Sequence, residues 1–222
     1  MKKILVVLCV CVLLFSLCAC TQKSTLQDLP TTEQNNTSTS DSDTRIIPES
    51  SYGSWKEYKS YSSNEDGVQD WYSFKIPYYQ VNSNDAVRAK LFYDKDTFCL
   101  FIPQEASFES EDMNEVIGGE SSYVAKMIGV FFTEQLGEFK LEIKGNKSFE
   151  IAEKPMNKYL GLITGNKDGA SVYYNTTIYY QKTNNDLYAF FVMLEPTDSP
   201  ENEMTQSTSE KIRKIAYSYI EQ

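Results

Sequence analysis

The sequence contains no histidine. That absence excludes a Ser-His-Asp triad, a Cys-His nucleophile pair, a histidine-ligated zinc and a histidine proton switch near neutral pH. Cysteine is scarce once its places are read. Cys9, Cys11, Cys18 and Cys20 lie near the start, and Cys99 stands alone in the rest of the chain, so no intramolecular disulfide is available there. Positive charge is also in short supply: 21 Lys and Arg face 31 Asp and Glu, a formal net charge of −10. Phosphate backbones are bound by clustered Lys and Arg, so no nucleic-acid partner is expected. No internal repeat is visible.

What is present begins with Lys2 and Lys3, followed by an almost wholly apolar run from Ile4 to Leu17. The run suits the apolar region of an export signal and is short for a spanning helix. It ends in Leu17-Cys18-Ala19-Cys20. This resembles the bacterial lipobox, in which small residues precede a cysteine that receives a diacylglyceryl group. Cys18 stands where that pattern usually has Ser, Thr, Ala or Val. Cys18 is itself the other candidate for the lipid, although Phe15-Ser16-Leu17 before it fits less well. The resemblance implies a signal peptide over residues 1–19, lipidation at Cys20, and a chain held at the cell membrane on its extracytoplasmic face. The membrane would then be a partner through the lipid alone. The excess of acid in the remaining chain is repelled by anionic headgroups.

Residues 20–50 are dominated by Ser, Thr, Asn, Gln and acids, with few aliphatics and no periodicity. Such a segment buries too little surface to fold and is expected to be a disordered linker. Its reach as a flexible coil is roughly 30 Å, and about 100 Å fully stretched. Residues 51–222 are rich in Tyr, Phe and Ile, punctuated by turn signals, and suit one domain.

Within that domain Trp71 to Ile76 alternates as a strand that Pro77 ends. Leu91–Tyr93 and Phe98–Ile102 form a hairpin around Asp94-Lys95-Asp96-Thr97. Residues 82–90 fit either a short helix or a loop. Val124, Met127, Ile128, Phe131 and Phe132 repeat at helical spacing, with Ser121 or Ser122 as cap and Gly137 as stop. Phe139, Leu141 and Ile143 alternate with charges, and Gly145-Asn146 is expected to turn the chain into a strand from Ser148 to Ala152. Strands are expected at Tyr159–Thr164, Val172–Gln181 and Leu187–Leu194, separated by turns at 165–169 and 183–186, with Pro196 a break. The closing helix carries Ile212, Ile215, Ala216, Tyr219 and Ile220 on one stripe, and Ser207 with Glu210 reads as its capping box.

Both parities of Leu187–Leu194 are apolar, so both faces of that strand should be covered. With two amphipathic helices available, the expected fold is α+β, a largely antiparallel sheet sandwiched between helices. The strand ending in Phe74-Lys75-Ile76-Pro77, the hairpin and helix after it, the long strands, and the terminal Ile212…Ile215…Tyr219-Ile220 helix together resemble the PsbP-like fold over about residues 68–221. That family is named for an extrinsic photosystem subunit and occurs in many bacterial lipoproteins. The resemblance implies a non-catalytic binding or assembly module.

No catalytic residue, metal site or cofactor is expected from the sequence. Tyr173, Asn175 and Tyr179 share one parity with Thr177 and Gln181, the aromatic-and-amide mix that stacks on sugars or peptides. Cross-strand Tyr and Thr pairs also simply stabilise sheets. The acidic run Glu105, Glu109, Glu111, Asp112, Glu115 and Glu120 offers oxygen ligands but lacks a calcium-loop ladder. Gly118-Gly119 before the first helix could expose N–H groups, yet those carboxylates oppose an anion there. Cys99, in an apolar strand, reads as an inert buried thiol. The leading expectation is therefore a membrane-anchored envelope lipoprotein that presents a binding or assembly domain to an envelope protein or small ligand. The alternative is a histidine-independent hydrolase using paired carboxylates.

Overall fold

The long strands pair as sequence neighbours, Glu138–Ile151 with Lys154–Lys167, that strand with Ala170–Lys182, and that one in turn with Tyr188–Thr197. In the computed structural model, seven strands form a sheet in the order β3-β4-β5-β9-β8-β7-β6, every pair antiparallel. The strands are β3 (Gln80–Asn84), β4 (Ala89–Tyr93), β5 (Phe98–Pro103), β6 (Glu138–Ile151), β7 (Lys154–Lys167), β8 (Ala170–Lys182) and β9 (Tyr188–Thr197). A smaller sheet, β1-β2-β10, comprises β1 (Lys56–Ser63), β2 (Gln69–Ile76) and β10 (Ile220–Glu221). Among the described residues three α-helices accompany them, α1 (Met113–Ile117), α2 (Tyr123–Leu136) and α3 (Gln206–Tyr217), with a 3-10 turn at Glu49–Tyr52. The structure describes residues 47–221 apart from 64–68, 79, 85–87, 104–112, 119–121, 152–153 and 184–186. The signal segment, Cys20, nearly all of the linker and most of the acidic run lie outside the described residues.

Strand β9 is central and buried on both sides, as its two apolar parities require. Phe190, Val192 and Leu194 face a core that α2 closes with Val124, Ile128, Phe132 and Leu136. Phe191 and Met193 face the opposite core with Cys99, Phe101 and Tyr179. There α3 supplies Ile212, Ile215 and Ala216, and the small sheet supplies Tyr72, Phe74 and Ile76. The second face is thus covered by a helix and a second sheet together, where a helix alone was expected. Phe74 anchors the small sheet, with ring centroids 4.8 Å from Phe101 and 5.2 Å from Phe191.

Four local expectations are corrected. Gly145-Asn146 does not turn the chain: β6 runs through it, with a register shift between Ile143 and Gly145. The extra residue switches the strand's inward parity, so Leu141 faces the α2 core while Phe149 packs on the α3 side. The turn expected over 165–169 contracts to Asp168-Gly169, at φ 53° and 84°, the left-handed pair that joins tightly twisted strands. Pro196 does not end β9. It pairs with Tyr174 on one side and lies beyond Leu194, the last residue opposite β5, so its missing N–H breaks no ladder there. Helix α3 is capped by Thr205 instead of Ser207; the Thr205 hydroxyl accepts from Thr208 N, and Glu210 instead holds Arg213. Of the ambiguous residues 82–90, 82–84 end β3, Arg88 is a turn residue at φ 50°, and 89–90 begin β4, while 85–87 lie outside the described residues.

Candidate functional site

The β8–β9 register sets Asn175 opposite Glu195 and Tyr173 opposite Thr197 at one end of the large sheet. Beyond Thr197 the chain crosses this sheet face before entering α3. The crossing is pinned at several points. Thr197 Oγ1 accepts from Asn202 Nδ2 at 3.1 Å, Lys144 Nζ donates to Pro200 O at 2.7 Å, and Met204 Sδ accepts from Thr177 Oγ1 at 3.3 Å. Between the crossing and the β4–β5 turn lies an open cleft of about 730 Å³, lined by Lys95, Asp96, Asn175, Glu195, Asp198 and Asn202 among others. Its wall is acidic, with Glu203 a further carboxylate.

Glu195 uses both of its carboxylate oxygens within the fold. Its Oε2 accepts from Thr205 N at 2.7 Å, and its Oε1 accepts from the hydroxyls of Thr205 at 2.7 Å and Thr208 at 2.5 Å. A strand carboxylate therefore completes the N-terminal cap of α3, where free backbone N–H groups favour negative charge.

Next to the cleft, a polar chain ties α3 to the β4–β5 turn. Asp94 Oδ1 accepts from Asp96 N at 2.9 Å and Thr97 N at 2.8 Å, while Asp94 Oδ2 accepts from Lys211 Nζ at 3.2 Å. Lys211 also donates to Thr97 Oγ1 at 3.0 Å, and the Thr97 and Tyr78 hydroxyls lie 2.8 Å apart. Partial burial alone would push the Asp94 carboxyl up, but these backbone donors and the Lys211 ammonium outweigh it and hold its pKa below the ordinary value. Burial, reinforced by Cys99, pushes the Tyr78 phenol well up. Cys99 is fully buried and its thiol is pushed up by desolvation, so it is a packing residue.

The three residues expected to form a ligand ladder are separated by what covers them. Asn175 is buried at the cleft floor, and Tyr173 is half-buried. Tyr179 is 1% exposed, its ring 6.4 Å from Phe149 and 6.0 Å from Tyr217. The parity that looked free is the one that α3 and the 198–205 crossing lie on. Sequence reasoning did not single out Glu195 or the pairing of Lys211 with Asp94, because these partners lie at least ten residues apart in the chain. The acidic run is described only at Glu115; among the described residues no group of three His, Cys, Asp or Glu could hold a metal ion.

No protein-family model matches the chain, and no curated protein matches it. Among solved structures, the chain is similar to the solution structure of cyanobacterial PsbP (CyanoP) from Synechocystis sp. PCC 6803. Identity is 10%, the match covers 73% of this chain and 91% of that one, and the TM-score is 0.43.

Proposed function

We propose that the chain is an envelope lipoprotein, held in the membrane by lipid on Cys20, whose folded part binds or assembles with another envelope component without catalysing a reaction. The anchoring is supported by Lys2-Lys3, the apolar run and Leu17-Cys18-Ala19-Cys20. Two or three acyl chains make stable anchoring, at about 0.8 kcal/mol per buried CH₂. The linker after Cys20 would hold the domain away from headgroups.

Glu195 supports the non-catalytic part by withdrawing one of the four cleft carboxylates, beside Asp96, Asp198 and Glu203, from any reacting pair. Carboxylate-pair hydrolysis needs one acid to protonate the leaving group and a second to attack or to activate water. In the cleft, both oxygens of Glu195 are spent on the α3 cap. The residue is committed to holding the wall of a recess, as a docking surface requires.

The test is crosslinking of the full chain in cells followed by mass identification, alongside a hydrolysis panel of glycosides. A reproducible envelope partner lost on changing Asn175 and Asn202 at the cleft supports the proposal. Turnover of a glycoside that disappears in Glu195→Gln, with folding retained, overturns it in favour of the hydrolase.

A further inference from the structure

Strand β6 ends the large sheet, and among the described residues no strand pairs with its outer edge. An edge strand carries backbone donors and acceptors that another strand can take up. The regular part of this edge has clear limits. It starts after Gly137, at φ 63°, and stops at the register shift, where Lys144 has no residue opposite it on β7. Between those limits the sequence reads Glu138-Phe139-Lys140-Leu141-Glu142-Ile143-Lys144.

The two faces of this stretch differ. Phe139, Leu141 and Ile143 turn toward the α2 core, Leu141 fully buried and the other two half-buried. Glu138, Lys140, Glu142 and Lys144 are exposed. Lys140 and Glu142 meet along the strand at 3.7 Å, with both side chains more than half exposed. Lys144 Nζ donates to Pro200 O at 2.7 Å, a carbonyl, which leaves two of its three donors for another acceptor.

The same stretch is complementary to itself. Laid antiparallel against a second copy about a dyad at Leu141, Glu138 meets Lys144, Lys140 meets Glu142, Phe139 meets Ile143, and Leu141 meets Leu141. Opposite charges directly across a strand pair stabilise it, and like charges oppose it. Moving the dyad onto Lys140 or Glu142 sets like charges against each other at every charged pair. Moving it onto Phe139 or Ile143 runs the pairing back into the end of α2 or out past the shift at Lys144. In-register parallel pairing sets every charge against its own sign. Charges on an edge strand suppress indiscriminate pairing; this alternation suppresses every register but one.

We propose that the β6 edge binds the β6 edge of a second copy of this chain, about a dyad at Leu141, which joins two seven-stranded sheets into one. The contact is isologous, so each pairing is made twice. The backbone of Glu138–Lys144 supplies the ladder, and the charges supply the register. The in-strand contact of Lys140 with Glu142 is exchanged for two across the dyad, so no charge is left alone. A contact confined to one short edge is small, and the dimer it makes is reversible. The edge is distinct from the cleft beside Glu195.

The test is sedimentation equilibrium of the full chain in density-matched detergent over a range of concentrations. The parent chain dimerises reversibly. Lys140→Glu and Glu142→Lys each place two like-charged pairs across the dyad, and each weakens self-association about tenfold or more. Mixed together, the two variants associate as the parent does, because each chain then offers one sign to the opposite sign of the other. Loss of the in-strand contact alone would leave the mixture no better than either variant. Should either reversal unfold the chain, Glu138→Lys and Lys144→Glu make the same comparison at the outer pairs. A parent chain that stays monomeric at every concentration overturns the proposal. So does a dimer indifferent to these reversals, or a mixture that associates no more than its components.

Discussion

Lys211 on α3 reaches Asp94 in the β4–β5 turn at 3.2 Å, so the last helix is tied by its second turn to one of the first hairpins. Asp94 also terminates the turn's own N–H groups. Asp94→Asn keeps the shape and removes the charge. Its folded-state pKa is depressed, so the stability it contributes is full above the ordinary aspartate range and is lost as pH falls through the lower folded value. Urea unfolding of the parent chain should therefore lose stability on acidification below about pH 4, and the Asp94→Asn profile should be flatter there. A parallel pair of curves would refute this role.

Glu195→Ala uncovers the start of α3, leaving Thr205 N and two hydroxyls without their acceptor. The expected loss is about 1–3 kcal/mol in urea unfolding. Hydrogen exchange should rise first in residues 205–209, and protection unchanged there would contradict the capping role.

Gly137 ends α2 at φ 63°, and a Cβ placed on it would sit 2.0 Å from Asn166 O. The contact is with backbone, which cannot swing away. Gly137→Ala is expected to prevent folding or to cost more than about 2 kcal/mol, from strained backbone and the forced retreat of the β7–β8 turn. Circular dichroism and urea unfolding read the outcome. Gly145→Ala, with open space around its Cβ, is the mild control.

Phe74→Ala empties the space where the two sheets meet, against Phe92, Phe101 and Phe191. A fully buried phenylalanine removed from such a site costs about 3–5 kcal/mol. Exchange should accelerate most in β1 and β2, which lose their principal anchor.

Cys99 is buried with a thiol held in its protonated form by desolvation. Maleimide labelling of the folded Cys20→Ala chain at this site should be limited by unfolding and should jump across the urea transition. Rapid labelling under native conditions would show that β5 opens independently.

Much of the large sheet was readable. The β4–β5 hairpin announces itself because Asp94-Lys95-Asp96-Thr97 interrupts two apolar runs, and the double-sided burial of β9 follows from its two apolar parities. The strand β1 was not readable: Lys56–Ser63 has two tyrosines among polar residues, at Tyr58 and Tyr61, on opposite parities. It is a strand because Tyr58 packs on Phe74 and Phe92, a tertiary fact. The local pattern at Ser207 and Glu210 is a valid box, yet it lies two residues past the cap that forms. Thr205 prevails through Glu195, ten residues upstream across the crossing segment. The candidate ladder of Tyr173, Asn175 and Tyr179 shared a parity as expected, but parity alone does not say which face a later helix will occupy.

The one-residue irregularity in β6 lets a single ribbon serve two masters. Its near half closes the layer beneath α2, and its far half turns its aromatic and cationic side chains toward α3. Excising Lys144 would leave the pairings on either side of it as they stand, Ile143 with Gly161 and Gly145 with Leu160, so Phe149 would keep its place against α3. What a chain so shortened would forfeit is the ammonium that reaches Pro200 O, one of the pins that hold the segment leading into the last helix.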